Sequence, residues 1–344
     1  MTDTLAGTAE RVSSVKDRKP RLGFLGVGWI GLSRMEAIAR SGLGEITAVC
    51  DISDQVLERS LSLAPEASTT RSFGELLETD LDGVVIATPS AQHSGQSIRA
   101  LEQGLAVFCQ KPLACTAAET RRIVEAARHA DRLLAVDLSY RFTSAMQAVR
   151  SLVTSGELGE IYAANLVFHN AYGPDKAWVH DRALSGGGCV IDLGIHLIDA
   201  ALWILGFRNI NKVSSRLYAK GKRLLSADRQ VEDYANAQID LANGIALDIA
   251  CSWWLPAGQD CVIVAEFYGT RGGACFRNLN GSFYDFVAER YEGTRRQVLA
   301  APPDPWPGRA AVDWVKRLQA GEEFDPANQE FIHVAEVLDA LYIF

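Results

Sequence analysis

The sequence predicts an α/β chain in two parts: a doubly wound parallel sheet with helices on both faces, then a mostly antiparallel sheet with one inserted helix. Three observations predict it. From Arg21, short apolar runs alternate with helical patterns, the mark of βαβ units. After about Ser144, strand-like runs follow one another with few helices between them. Within that second half Asn243-Gly244 sits between two alternating runs, a strong hairpin signal.

In the first part the strand-like runs are 22–27, 46–50, 84–88, 106–109 and 133–136. Near-continuous Val, Ile, Leu and Ala in such runs suits strands covered on both faces. Helical patterns lie between them at 29–41, 54–63, 92–103 and 116–129. The second part opens with a helix over 144–155 that stops at Gly156, the residue most at ease after a helix C-terminus. Strands follow at 161–169, 213–218, 234–241, 245–254 and 262–268, with the inserted helix over 188–205. The proline-rich stretch Pro302-Pro303-Asp304-Pro305-Trp306-Pro307 then separates the sheet from a terminal helical region. The expected division is a polar tail over 1–20, a first domain over 21–141 and a second over 142–344.

Composition excludes several classes of partner. The 344 residues are 48% hydrophobic and 22% charged, an ordinary globular balance with enough chain for two cores. Net charge is −8 and no block of five Lys/Arg occurs, which argues against nucleic acid and anionic membrane as partners. Seven scattered cysteines with no C-x-x-C spacing read as reduced core thiols, hence a cytoplasmic protein. Residues 1–20 hold no apolar signal-peptide region, and the longest apolar stretch, 195–205, is too short to span a bilayer.

The run from Leu22 leads into Gly26-Val27-Gly28-Trp29-Ile30-Gly31, a strand entering G-x-G-x-x-G. Glycines at these positions permit a tight turn, close approach of backbone to a pyrophosphate, and close helix–strand packing. The helix opened by Trp29 and Ile30 then presents free N–H groups and a partial positive charge to the anion. Asp51 ends the second strand twenty residues after Gly31, completing the dinucleotide fingerprint. Its carboxylate suits two ribose hydroxyls and repels a 2′-phosphate, and no arginine follows in Ile52-Ser53-Asp54, so NAD is favoured over NADP.

Two further strand ends carry polar residues. Thr88 and Pro89 end the third apolar run, where they would line the ribose on the nicotinamide side, and His93 opens the next helix. A plain strand-ending turn with Ser90 as helix cap accounts for that segment equally well. The fourth run ends in Gln110-Lys111-Pro112, bringing an ammonium to the mouth of a hydrophobic sheet, where it needs a partner. Pro112 holds Lys111 extended.

The helix after Gly186-Gly187-Gly188 is apolar nearly all round, as in a buried helix. Its ionisable residues are Asp192, His196 and Asp199, which at about 100° per residue fall near 0°, 40° and −20°, one narrow stripe. Such a stripe is either a satisfied structural pair or a proton-handling pair, a carboxylate tuning an imidazole. No H-E-x-x-H or cysteine pair supports a metal site.

On these residues the chain resembles the glucose–fructose oxidoreductase/inositol dehydrogenase/MocA (Gfo/Idh/MocA) family over about 21–340. The resemblance rests on the glycine turn, Ala87-Thr88-Pro89, Gln110-Lys111-Pro112, Tyr140-Arg141-Phe142 and the segment from Gly186 to His196. It implies a Rossmann domain, a second α/β domain with a large open sheet, and association of two or four copies through that sheet. It further implies an NAD(P)-dependent dehydrogenase or reductase acting on sugars, sugar derivatives or cyclitols. Lys111, Asp192 and His196 match the family's catalytic positions: His196 as acid/base, Lys111 on the reacting oxygen, Asp192 orienting both. Gln110 and His93 join the cofactor-side residues, and Tyr172, Trp178, His180 and Asp181, with Tyr162 and His169, are candidate substrate contacts. Two departures stand out: Gln110 replaces the glutamate of the family's E-K-P motif, and Ser90 replaces its frequent asparagine. The same resemblance leaves open an NAD-using glycosidase and a non-catalytic sensor.

Overall fold

Two sheets organise the chain. In this computed structural model residues 18–226 and 230–343 are described, so most of the 1–20 tail lies outside the described residues. The first sheet holds β1 (Arg21–Leu25), β2 (Glu45–Cys50), β3 (Ser68–Thr70), β4 (Gly83–Ile86), β5 (Ala106–Cys109) and β6 (Leu134–Val136). The second holds β7 (Ile161–Asn170), β8 (Ile210–Ala219), β9 (Lys222–Arg223), β10 (Tyr234–Leu241), β11 (Ala246–Ser252), β12 (Cys261–Gly269), β13 (Gly272–Asn278), β14 (Phe286–Glu292) and β15 (Arg295–Ala300). Helices α1 (Trp29–Ser41), α2 (Asp54–Leu61), α3 (Phe73–Glu78), α4 (Ser90–Glu102) and α5 (Ala117–Ala130) alternate with the first strands. Later come α6 (Ser144–Thr154), α7 (Arg182–Ser185), α8 (Ile195–Leu205), α9 (Arg309–Gln319) and α10 (Gln329–Leu341).

The first sheet is wholly parallel, in the order β3-β2-β1-β4-β5-β6. This is the doubly wound dinucleotide-binding order, which reverses between β1 and β4 and opens a crevice at their carboxyl ends. Residues Val84–Ile86 and Ala106–Cys109 are all 0% exposed, which explains runs apolar at every position rather than at alternate ones. The strand β3 and helix α3 escape the sequence reading because Ser68-Thr69-Thr70 is short and polar at the sheet edge.

The chain forms two compact units, and residues 307–329 belong with the first, departing from the single boundary expected at 141/142. The reason is packing. Trp314 on α9 is 1% exposed, tilts against Phe108 at 5.8 Å, and occupies the space a side chain at Gly83 would need.

The second sheet runs β15-β14-β13-β12-β7-β11-β10-β8-β9, antiparallel except for β7 with β11. Residues of β10 alternate buried and exposed, as a strand covered on one face should. Asn243-Gly244 links β10 to β11, with Gly244 at φ +85°. Strands β13, β14 and β15 are not legible in the sequence, since glycine pairs and charged residues such as Arg295-Arg296 mask their alternation. The stretch Arg182–Leu205 is long and apolar enough to cross a membrane, yet 83% of its apolar window is buried in the protein, as a core helix would be.

Candidate active site

The glycine turn after β1 divides its three duties as the fingerprint requires. Gly26 sits at φ +80°, and a Cβ there would lie 2.8 Å from the backbone of Ala87. A Cβ on Gly31 would lie 2.2 Å from the Gly26 carbonyl oxygen, so α1 can approach β1 only without one. Gly28 faces open space, with nothing within 4 Å, and α1 begins immediately after it with no side-chain cap. Backbone N–H groups at that helix start are therefore available to an anion. Asp51 is locked from behind: Oδ2 accepts the Val27 N–H at 2.9 Å and Oδ1 the Ser53 N–H at 3.0 Å. Carboxylate lone pairs remain for two hydroxyls. Trp29 is 76% exposed and Ile52, beside Asp51, is 88% exposed. These residues fit a dinucleotide, with Ile30 half-buried behind them.

At the end of β4, Thr88 donates its hydroxyl to Gln96 at 2.5 Å. Pro89 immediately precedes α4. His93 is 1% exposed with Nδ1 2.7 Å from the Pro112 carbonyl and Nε2 2.8 Å from the Thr88 carbonyl. Both ring nitrogens lie at hydrogen-bonding distance from a backbone carbonyl, and a neutral imidazole donates to one of the two, so His93 links the two strand ends. Burial pulls its imidazole below the usual range against those two carbonyls, and Lys111 adds to the downward push.

Beside it, Gln110 is buried and donates Nε2 to Asp137 Oδ2 at 2.5 Å, where the Arg34 guanidinium also donates at 2.5 Å. All three residues are at most 7% exposed. Lys111 is half-buried, and its peptide to Pro112 is cis.

In the second unit the inserted helix starts differently from the expectation. Val190–Gly194 is a π turn, and regular α-helix follows from Ile195. The predicted stripe splits accordingly. Asp199 is buried and takes a bidentate bond from Arg141, which also reaches Glu330 at 2.9 Å. Asp192 and His196 stay half-buried. The Trp253 indole N–H donates to Asp192 Oδ2 at 3.0 Å. His196 meets the Tyr140 ring edge-on at 4.9 Å. Burial holds the Tyr140 phenol well above its ordinary value, with Cys261 and Asp192 adding to the effect.

The candidate substrate residues are less uniform. His180 is exposed, stacks on Trp254 at 5.6 Å and meets Trp253 edge-on at 5.8 Å. Trp178 is half-buried, while Tyr172 is 55% exposed with its hydroxyl on Asp260. Asp181 caps α7, and Tyr162 is exposed on β7. His169 stacks on Tyr234 and bonds Ser252 on the sheet face away from α8. An open cavity of about 930 Å³ lies here within the second unit, lined by Arg216, Tyr218, Tyr234, Asn236, Trp253 and Trp254 among others. Sequence reasoning missed Arg34, Asp137, Trp253 and Glu232. Only Asp137, a charge directly after a buried strand, left a usable signal.

Comparison with known proteins agrees with this architecture. Residues 20–138 match a family model described as an oxidoreductase family with an NAD-binding Rossmann fold, and residues 146–275 match a GFO/IDH/MocA C-terminal domain. D-glucoside 3-dehydrogenase of Escherichia coli K12 is 31% identical over 67% of this chain and 69% of its own length. Inositol 2-dehydrogenase of Acidothermus cellulolyticus is 26% identical over 90% of this chain and 88% of its own. Among solved structures, GenD2 from gentamicin A biosynthesis in complex with NAD superposes with TM-score 0.79 at 24% identity, covering 94% of this chain and 93% of that one.

Proposed function

The chain belongs to the Gfo/Idh/MocA family of NAD(P)-dependent oxidoreductases, and on that footing we propose that it moves a hydride between a nicotinamide dinucleotide and a carbinol carbon of a sugar, sugar derivative or cyclitol. The observation that carries this reading is the glycine turn. It has a Cβ-free opening at Gly28, forced contacts at Gly26 and Gly31, and Asp51 braced by two backbone N–H groups. Asp51 favours NAD, because a 2′-phosphate would meet its negative charge.

Nicotinamide, when bound, supplies the hydride acceptor. The side chains handle the proton. His196 takes the hydroxyl proton as general base in oxidation and returns it in reduction. Lys111 donates a hydrogen bond to the reacting oxygen and offsets the charge that develops there. Asp192, fixed by the Trp253 indole, orients the acid/base pair. Relatives named D-glucoside 3-dehydrogenase and inositol 2-dehydrogenase support a polyhydroxylated ring as substrate.

The test is an absorbance screen for NADH formation against sugars, sugar acids, inositols and nucleotide-sugars, with thermal shifts for NAD and NADP. We expect turnover on at least one polyol, lost in Lys111→Ala and His196→Ala, and a larger melting shift with NAD. Turnover unchanged in both variants would overturn the assignment. Sugar release without net NADH would replace it with the glycosidase reaction.

A further inference from the structure

Glu232 is 0% exposed, yet it belongs to no strand or helix and lies far along the chain from the π turn. Its Oε1 accepts the Gly188 N–H and the Val190 N–H, each at 2.9 Å, and the Tyr342 hydroxyl at 2.8 Å. Its own carbonyl accepts the Cys189 N–H at 2.9 Å. Three consecutive N–H groups at the start of the helix are therefore satisfied by one residue. Helix starts leave such donors without an intrahelical partner, and a buried start must find acceptors elsewhere.

The fit leaves no slack. A Cβ on Gly188 would lie 1.9 Å from the Glu232 carbonyl oxygen, and one on Gly187 would lie 2.1 Å from the Tyr342 hydroxyl. The triple glycine is the space into which Glu232 and Tyr342 pack. The next residue extends the clamp: the Asp233 carbonyl accepts the Trp253 N–H at 2.7 Å, and the Trp253 indole holds Asp192. Asp192 is thus fixed twice from one dipeptide, through the π turn that carries it and through the tryptophan that binds it.

We propose that Glu232 is a positioning residue for Asp192, capping the π turn from across the fold and setting where the carboxylate points. This deepens the hydride-transfer reading and rests on it. Burial pushes the Glu232 carboxyl above its ordinary range against the N–H groups it accepts. Glutamine, isosteric and neutral, should therefore replace it, whereas aspartate is one methylene too short to reach both N–H groups.

The experiment compares wild type, Glu232→Gln, Glu232→Asp and Glu232→Ala in kcat, KM for NAD and the pH profile of kcat, using a sugar found in the screen. Glu232→Gln should stay within about twofold of wild type. Glu232→Asp and Glu232→Ala should lose on the order of tenfold to a hundredfold in kcat, the scale of a small misplacement at a reacting centre. Their pH profiles should shift, with KM for NAD unchanged, since the glycine turn belongs to the other unit. Wild-type kcat and pH profile in a folded Glu232→Asp would overturn the proposal. If wild type turns over no substrate, the hydride-transfer reading fails by itself. Crystal structures of wild type and Glu232→Asp then decide the positioning role. Loss of the π turn or of the 3.0 Å Asp192–Trp253 bond supports it, and retention of both sinks it.

Discussion

Replacing Gln110 with glutamate, the residue the family motif carries, should destabilise this protein in a strongly pH-dependent way. In the native chain the Gln110 amide donates to Asp137 Oδ2 at 2.5 Å, and the same oxygen pairs with Arg34. A carboxylate at 110 would put two anions in contact where side-chain exposure is 6% or less for the Arg34–Asp137 pair. Like charges that close share a proton instead, as paired carboxylates do. Keeping one glutamate protonated at pH 7 costs about 3.7 kcal/mol, from 1.36 kcal/mol per unit over the ~2.7 units above its ordinary value. At pH 5 the same cost is about 1 kcal/mol.

The sign follows from linkage. The introduced carboxyl has a folded value raised above its unfolded one, so the folded state is unpenalised below pH ~4 and loses stability as pH rises. At roughly 2–4 °C per kcal/mol, Gln110→Glu should melt about 7–15 °C below wild type at pH 7 and about 2–4 °C below it at pH 5. Differential scanning fluorimetry from pH 5 to 8 measures this directly. Gln110→Met is the control: it loses the hydrogen bond without adding charge, costing roughly 1–3 kcal/mol at every pH. Adding Asp137→Asn to Gln110→Glu should recover most of the loss by moving the one carboxylate to the other strand end. A Gln110→Glu protein as stable as wild type at pH 7, or equally destabilised at pH 5 and 7, refutes the reasoning.

Gly31→Ala should abolish NAD binding in isothermal titration, because its Cβ would sit 2.2 Å from the Gly26 carbonyl and must push α1 off β1. Gly28→Ala meets nothing within 4 Å and should fold normally, losing only dinucleotide affinity. Burial raises the Glu232 carboxyl, so its contribution to stability is fully present below the unfolded value near 4.3 and fades as pH rises through the folded value. Glu232→Gln lacks that penalty. Its melting temperature relative to wild type should therefore climb between pH 5 and 8, and a difference constant with pH would refute this reading.

What the sequence disclosed follows the range of the forces involved. The parallel strands and their helices are legible because burial on both faces writes itself into consecutive residues, as in Val84–Ile86. The glycine turn is legible because its spacing records its own clearance: a Cβ on Gly31 would meet the Gly26 carbonyl inside the motif, while the room Gly26 needs against Ala87 shows only in the fold. The π turn is not legible, and the residue that accepts the N–H groups at its start, Glu232, lies more than forty residues downstream. Likewise Asp199 shares a helical face with Asp192 by spacing, and only tertiary structure reveals that Arg141 claims it.

The departure at Gln110 shows why a motif should be read as a set of charges in space. Losing the glutamate from E-K-P suggests, in sequence, that Lys111 has lost a nearby anion. The fold places a carboxylate at the end of the adjacent strand instead, on Asp137, hydrogen-bonded by Gln110 itself. Gln110 is therefore the donor such a buried carboxylate needs, and a second acid there would compete with Asp137 for Arg34. Strand β5 has one negative group beside its end, and here Asp137 on the adjacent strand end carries it while position 110 is an amide. The single carboxylate of this cluster stands on Asp137 and the amide on Gln110, and the double substitution keeps one of each, which is why it should succeed where the single one fails.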